Sequence, residues 1–122
     1  MKPVDNCNRR LIVAGSRGYT DRESICTTLF FRVDDDTAII TGGCPNSPDE
    51  VAAEFAQQDN VPLEICKADW DRYGKAAGPH RNRHMAQRGT HLLAFWDGKS
   101  RGTANMILEA HRCGLNVEVE LI

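Results

Sequence analysis

Apolar residues in this chain come in short runs, each closed by a glycine-rich or polar turn and followed by a stretch with helical spacing. Leu11-Ile12-Val13-Ala14 is the first run, and Gly15-Ser16-Arg17-Gly18 ends it. Short apolar blocks bounded by turn residues read as buried strands. Thr20 or Asp21 can cap a helix from about Arg22 to Arg32, with Ile25, Leu29 and Phe30 on its apolar face. Thr37 to Thr41 reads as a second strand, ended by Gly42-Gly43-Cys44-Pro45-Asn46. Ser47 can cap the next helix, with Pro48 at its first position and Val51, Ala52, Phe55 and Ala56 facing inward. Val61 to Cys66 is a third strand, followed by a long connection from Ala68 to His80. Pro79 or His80 opens a helix through about Arg88, and His91 to Trp96 is a fourth strand. A helix from about Ala104 ends near Cys113-Gly114, and the alternation of Asn116 to Leu121 suggests a strand with one partly exposed face or an edge strand. Strand and helix alternate throughout, which predicts an α/β domain: a mostly parallel five-stranded sheet with helices on both faces. Residues 1–10 read as a flexible N-terminal arm and 11–122 as the domain.

Composition narrows the function classes. A chain of 122 residues with formal net charge −2 is one domain with no bulk attraction to nucleic acid or anionic membrane. No apolar run reaches membrane-spanning length and the N-terminal stretch lacks a signal-peptide core, so the cytoplasm is the expected compartment. The five cysteines are odd in number and lack C-x-x-C spacing, which suggests neither a disulfide framework nor a zinc site. Cys26, Cys66 and Cys113 sit among apolar residues and read as core thiols; Cys44 lies in a glycine turn. Asp34-Asp35-Asp36 reads as solvated charge. His80 and His84 are four apart but lack a clear third ligand, so no metal and no cofactor are expected.

The candidate chemistry lies in the turns after the strands. In parallel α/β sheets ligands sit beyond the strands' carboxyl ends, where strand order reverses. Gly98-Lys99-Ser100-Arg101-Gly102-Thr103 joins a strand to a helix N-terminus, whose unpaired N–H groups and dipole favour an anion. The same residues also suit a simple helix cap. Arg17 is a candidate phosphate ligand or a surface arginine. Gly42-Gly43 permits close approach of a sugar or forms a tight turn. Asp49 can accept from ribose hydroxyls or serve as a first-turn helix acid. Trp70 can stack on a base or cover the core. Arg81 and Asn82, with His84, put basic and amide groups in the first turns of a helix, where cations invite an anionic partner. Neither G-x-G-x-x-G nor G-x-x-x-x-G-K-[ST] is present.

Gly15-Ser16-Arg17, Thr41-Gly42-Gly43-Cys44-Pro45, Ala68-Asp69-Trp70, Gly74-Lys75-Ala76-Ala77-Gly78-Pro79, Arg81-Asn82, Met85 and Trp96 to Thr103 together resemble the YspA branch of the SLOG superfamily. The resemblance runs from about residue 11 to the end. It implies a Rossmann-like fold that binds, senses or processes a nucleotide-derived ligand at the rim, and a homodimer or larger homo-oligomer. Relatives include the "Lonely guy" phosphoribohydrolases and the DNA-processing protein A family. In the phosphoribohydrolases P-G-G-x-G-T is followed by catalytic glutamates; here Thr103 is followed by Ala104-Asn105-Met106. A second departure is Asn46-Ser47-Pro48-Asp49 where relatives usually read x-G-A-D.

The leading expectation is therefore a protein that binds a phosphorylated nucleoside, of ADP-ribose-like or cyclic-nucleotide type. Gly98 to Thr103 would hold phosphate, Arg17 and Arg81 would neutralise it, Gly42-Gly43 would pass beneath the sugar and Trp70 would cover the base. Gly15, Ser16, Asp49 and Asn82 complete that site. The alternative is a nucleotide N-glycosidase using a rim aspartate, Asp71 or Asp97, with Asp69 also near. Single-stranded DNA binding is a lesser alternative that the net charge disfavours.

Overall fold

The computed structural model describes residues 2–122, and the apolar runs become the strands β1 (Arg9–Gly15), β2 (Thr37–Thr41), β3 (Leu63–Ile65), β4 (His91–Trp96) and β5 (Asn116–Leu121). Between them lie α1 (Arg22–Phe30), α2 (Pro48–Gln58), α3 (Trp70–Tyr73), α4 (Ala77–Arg88) and α5 (Arg101–Arg112), with 3-10 turns at Val4–Asn6 and Gly74–Ala76. The sheet order is β3-β2-β1-β4-β5 and every pairing is parallel. The chain builds outward from β1 to β3, then crosses back to add β4 and β5 on the other side. Strand order thus reverses between β1 and β4, leaving a crevice at their carboxyl ends. β5 is an edge, one of the two readings its alternation allowed.

The two-residue period of the strands sorts the core. Leu11, Val13, Ile39, Leu93 and Phe95 face α1 and α2, meeting Ile25, Leu29, Val51, Ala52 and Ala56. Ile12, Ala14, Ile40, Leu92 and Ala94 face the other way, onto Met85 and Ala86 of α4 and Met106 and Ala110 of α5. In register, Ile12 lies between Ile40 and Leu92, so three fully buried side chains cross the middle of the sheet. Burying such side chains stabilises by roughly 1.5–3 kcal/mol each. The expected caps form: Asp21 Oδ1 accepts from the Ser24 N–H (3.1 Å), and Ser47 Oγ accepts from the Asp49 N–H (3.2 Å).

The structure corrects several local expectations. The arm predicted over residues 1–10 is tied down from Lys2 onward: β1 starts at Arg9, Cys7 is buried, and Asp36 takes hydrogen bonds from Lys2 Nζ (2.8 Å) and Asn8 Nδ2 (2.7 Å). Phe30 is 69% exposed rather than on the apolar face, because α1 ends there and Phe30 lies about 100° round the helix from Leu29. Cys113 is exposed, and Cys26 and Cys66 are only half-buried. The long connection after β3 is short helix, and α4 starts at Ala77, ahead of Pro79. α5 likewise starts at Arg101, so Arg101, Gly102 and Thr103 form its first turn.

Candidate functional site

A cleft of about 380 Å³ opens at the carboxyl ends of the strands, between the N-terminal halves of α4 and α5 and the loops after β1 and β2. Of the residues picked from sequence, Gly15, Arg17, Asp49, Trp70, Arg81, Asn82, Ser100, Arg101, Gly102 and Thr103 line it. Ser16, Gly42, Gly43, Gly98 and Lys99 lie off its surface, as do Asp71 and Asp97.

Several of these glycines and polar residues have a structural task. Ser16 is buried; its N–H donates to Phe95 O (2.9 Å) and its Oγ accepts from the Asp97 N–H (3.1 Å), joining the β1 and β4 loops. Asp97 turns back into its own loop, where Oδ1 accepts from the N–H groups of Ser100 and Lys99, both at 2.8 Å. Those bonds hold its carboxyl below the usual aspartate range. Asp71 is exposed on α3. Gly43 has φ +71°, a left-handed turn that favours glycine. A Cβ on Gly15 would stand 2.3 Å from Pro48 Cγ, so that glycine serves the packing of β1 against α2.

A hydrogen-bond chain crosses the cleft floor. Asp49 is only 4% exposed, and its Oδ2 accepts from the Gly42 N–H (3.1 Å) and the Cys44 N–H (3.2 Å). Arg81 Nη1 donates to Gly42 O (2.7 Å) and its Nε donates to Asn82 Oδ1 (2.9 Å). Asn82 Nδ2 donates to Gly102 O (3.2 Å) and Asn105 Oδ1 (2.9 Å). The loop after β2 is thereby fixed to the first turn of α5 through two side chains of α4. Burial pushes the Asp49 carboxyl up to about 6, against the opposing pull of its backbone donors and Arg81. Asp49 lines the cleft, and its Oδ1 takes no hydrogen bond from another residue among those described. The one buried unpaired side-chain oxygen among them is Thr41 Oγ1.

The α5 end offers donors. Ser100 caps the helix and its Oγ lies 3.2 Å from Thr103 Oγ1. The N–H groups of Arg101 and Gly102 have no acceptor among the described residues. A Cβ on Gly102 would meet nothing within 4 Å, so the backbone is open to the cleft there. Arg17 and Arg101 are exposed, and Trp70, 59% exposed, stands at the edge with its ring over Gly78 (3.7 Å to a Cβ there). Three arginines and one carboxylate line the cleft, so it favours anions. Sequence reasoning did not single out Asn105 or Met106. Helical spacing carries the signal: Asn105 and Met106 follow Gly102 by three and four residues on one face. Gly78, Pro79 and Met85 share the face of Arg81 and Asn82 in the same way.

A parallel α/β sheet with an anion-attracting cleft at its topological switch point defines a Rossmann-like domain. The chain belongs to the YspA, cpYpsA-related SLOG family, whose model matches residues 9–73. It is also similar to the Gene 61 protein of Mycobacterium phage D29, at 34% identity over 118 residues, covering 89% of this chain and 94% of that one. The family match spans the β1 and β2 loops, Asp49 and Trp70; the α4 and α5 walls lie beyond it. No helix among the described residues is long and apolar enough to cross a membrane.

Proposed function

We propose that this protein binds a phosphorylated, nucleotide-derived ligand in the cleft between α4 and α5. The observation that carries this is the open first turn of α5: two N–H groups without an acceptor among the described residues and the helix dipole meet a cleft that Arg17 and Arg101 also line, with open space at Gly102. Family membership supports a nucleotide-related ligand. Asp49 Oδ1 can accept from a sugar hydroxyl and Trp70 can stack on a base. Five free thiols fit the reducing cytoplasm. Ser16, Gly42, Gly43, Gly98 and Lys99 act by shaping the loops rather than by touching the ligand.

Equilibrium dialysis against nucleoside mono-, di- and triphosphates, ADP-ribose, NAD and cyclic nucleotides, with chromatography of both chambers, tests this. An intact species enriched on the protein side supports it; equal and unchanged chambers overturn it. A second reading, N-glycosidic hydrolysis, is favoured by one observation: Asp49 places a carboxyl with a pKa of about 6 in the cleft, a value suited to general acid–base work near neutrality. Free base with matching ribose phosphate in the dialysate would select it. Light scattering of the eluted protein tests the homo-oligomer.

A further inference from the structure

On the far side of α4 from the cleft, a depression collects three kinds of metal-binding atom. Glu64 in β3 and Cys66 just after it are two residues apart in extended chain, so they point to the same side. The Arg88 guanidinium forks the Glu64 carboxylate, with Nε to Oε2 at 2.5 Å and Nη2 to Oε1, and pins α4 against β3. His84 lies one turn before Arg88 on the same helix face. One donor atom each from Glu64, Cys66 and His84 lies within 4.8 Å of the others, and Cys66 Sγ donates to Glu64 Oε2 at 3.2 Å. Of the His80–His84 pair, only His84 joins this group.

We propose that Glu64, Cys66 and His84 form a binding site for a borderline-soft divalent cation of the zinc type, separate from the nucleotide cleft and independent of its reading. Zinc takes thiolate, imidazole and carboxylate at about 2.0–2.3 Å in a tetrahedron, which puts ligand atoms about 3.4–3.6 Å apart. The sulfur–oxygen pair is already at 3.2 Å. The remaining closure falls to His84, which is exposed and free to turn. A thiolate and an imidazole select against magnesium and calcium. On binding, the Cys66 S–H bond is replaced by a sulfur–metal bond and the proton leaves to solvent, with no change of oxidation state. Glu64 Oε2 exchanges the thiol hydrogen bond for the metal, while Oε1 keeps Arg88 as the outer partner that orients it. The fourth position faces the open depression and takes water. The His80 ring also lines that depression but is stacked on Tyr73 at 4.0 Å, so it stands aside.

Cobalt(II) titration of the intact reduced chain tests this, because a thiolate ligand gives a near-ultraviolet charge-transfer band and a tetrahedral site gives strong visible bands. One equivalent of cobalt should produce both, and zinc should displace it. Cys66→Ser should abolish the charge-transfer band. His84→Ala, at an exposed position that cannot unfold the domain, should weaken binding by more than about tenfold, at least as much as losing an outer-shell partner. Cys113→Ser and His80→Ala should change neither. No charge-transfer band in the wild type, or an undiminished band in Cys66→Ser, would overturn the site.

Discussion

Replacing Gly102 by glutamate separates ligand binding from folding. Gly102 is at the second position of α5, its backbone is not in the left-handed region, and a Cβ there has open space around it. A side chain is therefore tolerated. Leaving glycine in a helix gains up to about 1 kcal/mol, and an acid in the first turn gains about 0.3–1 kcal/mol more from the dipole. The variant should be as stable as the wild type or more so. The same carboxylate stands in front of the free N–H groups of Arg101 and Gly102. At about 5 Å from a bound phosphate it costs ~0.8 kcal/mol per unit charge in water and ~3 kcal/mol at an effective dielectric of 20. Affinity should fall by about fourfold to a few hundredfold. Isothermal titration with the nucleotide retained in dialysis, and with pyrophosphate, reads this, and thermal melting reads stability. Gly102→Gln carries the bulk without the charge and should lose less. If Gly102→Glu binds as tightly as wild type, the anion does not sit at α5. If it melts far lower, the open space around Gly102 is wrong.

Arg17→Ala should leave stability within about 0.5 kcal/mol, since Arg17 is exposed, and weaken ligand binding about 10- to 150-fold, the span of a charge-assisted hydrogen bond; titration and urea denaturation check the pair. Asp49→Asn can keep both backbone donors on its amide oxygen, because both fall on Oδ2. The folded carboxyl titrates near 6 against 3.8 for an ordinary aspartate, so it binds more protons folded than unfolded between those values. Wild-type stability from this group is greatest at low pH and falls as pH rises from about 4 to about 6, by at most ~3 kcal/mol. The variant should gain on the wild type across that window and hold the gain above it; a difference flat in pH refutes the buried carboxyl. Gly42→Ala puts a Cβ 2.5 Å from Arg81 Nη1 and should cost about 1.5–3 kcal/mol by breaking the bond to Gly42 O, measured by urea denaturation.

The sheet was legible because its signals are local. Leu11 to Ala14 and Leu92 to Phe95 are apolar on both faces, as a central parallel strand requires. Asp21 and Ser47-Pro48 announce two helix starts through cap chemistry that depends on a few neighbouring residues. That the glycine turns share one rim follows from alternation alone. What could not be read was which polar group answers which. Arg81 reaches Gly42 across 39 positions, and Asn82 reaches Asn105 across 23. No periodicity encodes such pairings. Asp97 and Asp49 are both aspartates that follow a strand at the same rim. One is consumed by its own loop, while the other keeps an oxygen in the cleft.

That division bears on what ligand the cleft accepts. Ser16, Ser47, Asp97 and most of Arg81 are committed to joining loops, so they contribute position rather than contact. The groups left over are unevenly placed. Arg101 and two N–H groups lie at the start of α5 and Arg17 in the loop after β1, all of them donors. Asp49 Oδ1, an acceptor, lies toward the α2 start, and the Trp70 ring stands at the rim. A molecule that satisfies all three must be anionic at one end, carry hydroxyl donors at the other and offer a flat face beside them. A bare phosphate meets only the first condition and leaves the Asp49 oxygen repelling it. A nucleoside meets the second and third and leaves two arginines unpaired. The ligand class proposed above, a sugar phosphate bearing a base, meets all three, and hydrogen bonds from the Asp49 loop through Arg81 and Asn82 to Gly102 tie the two ends together. Under that proposal selectivity comes from the spacing of the two ends, since either end alone is a weak and common surface feature.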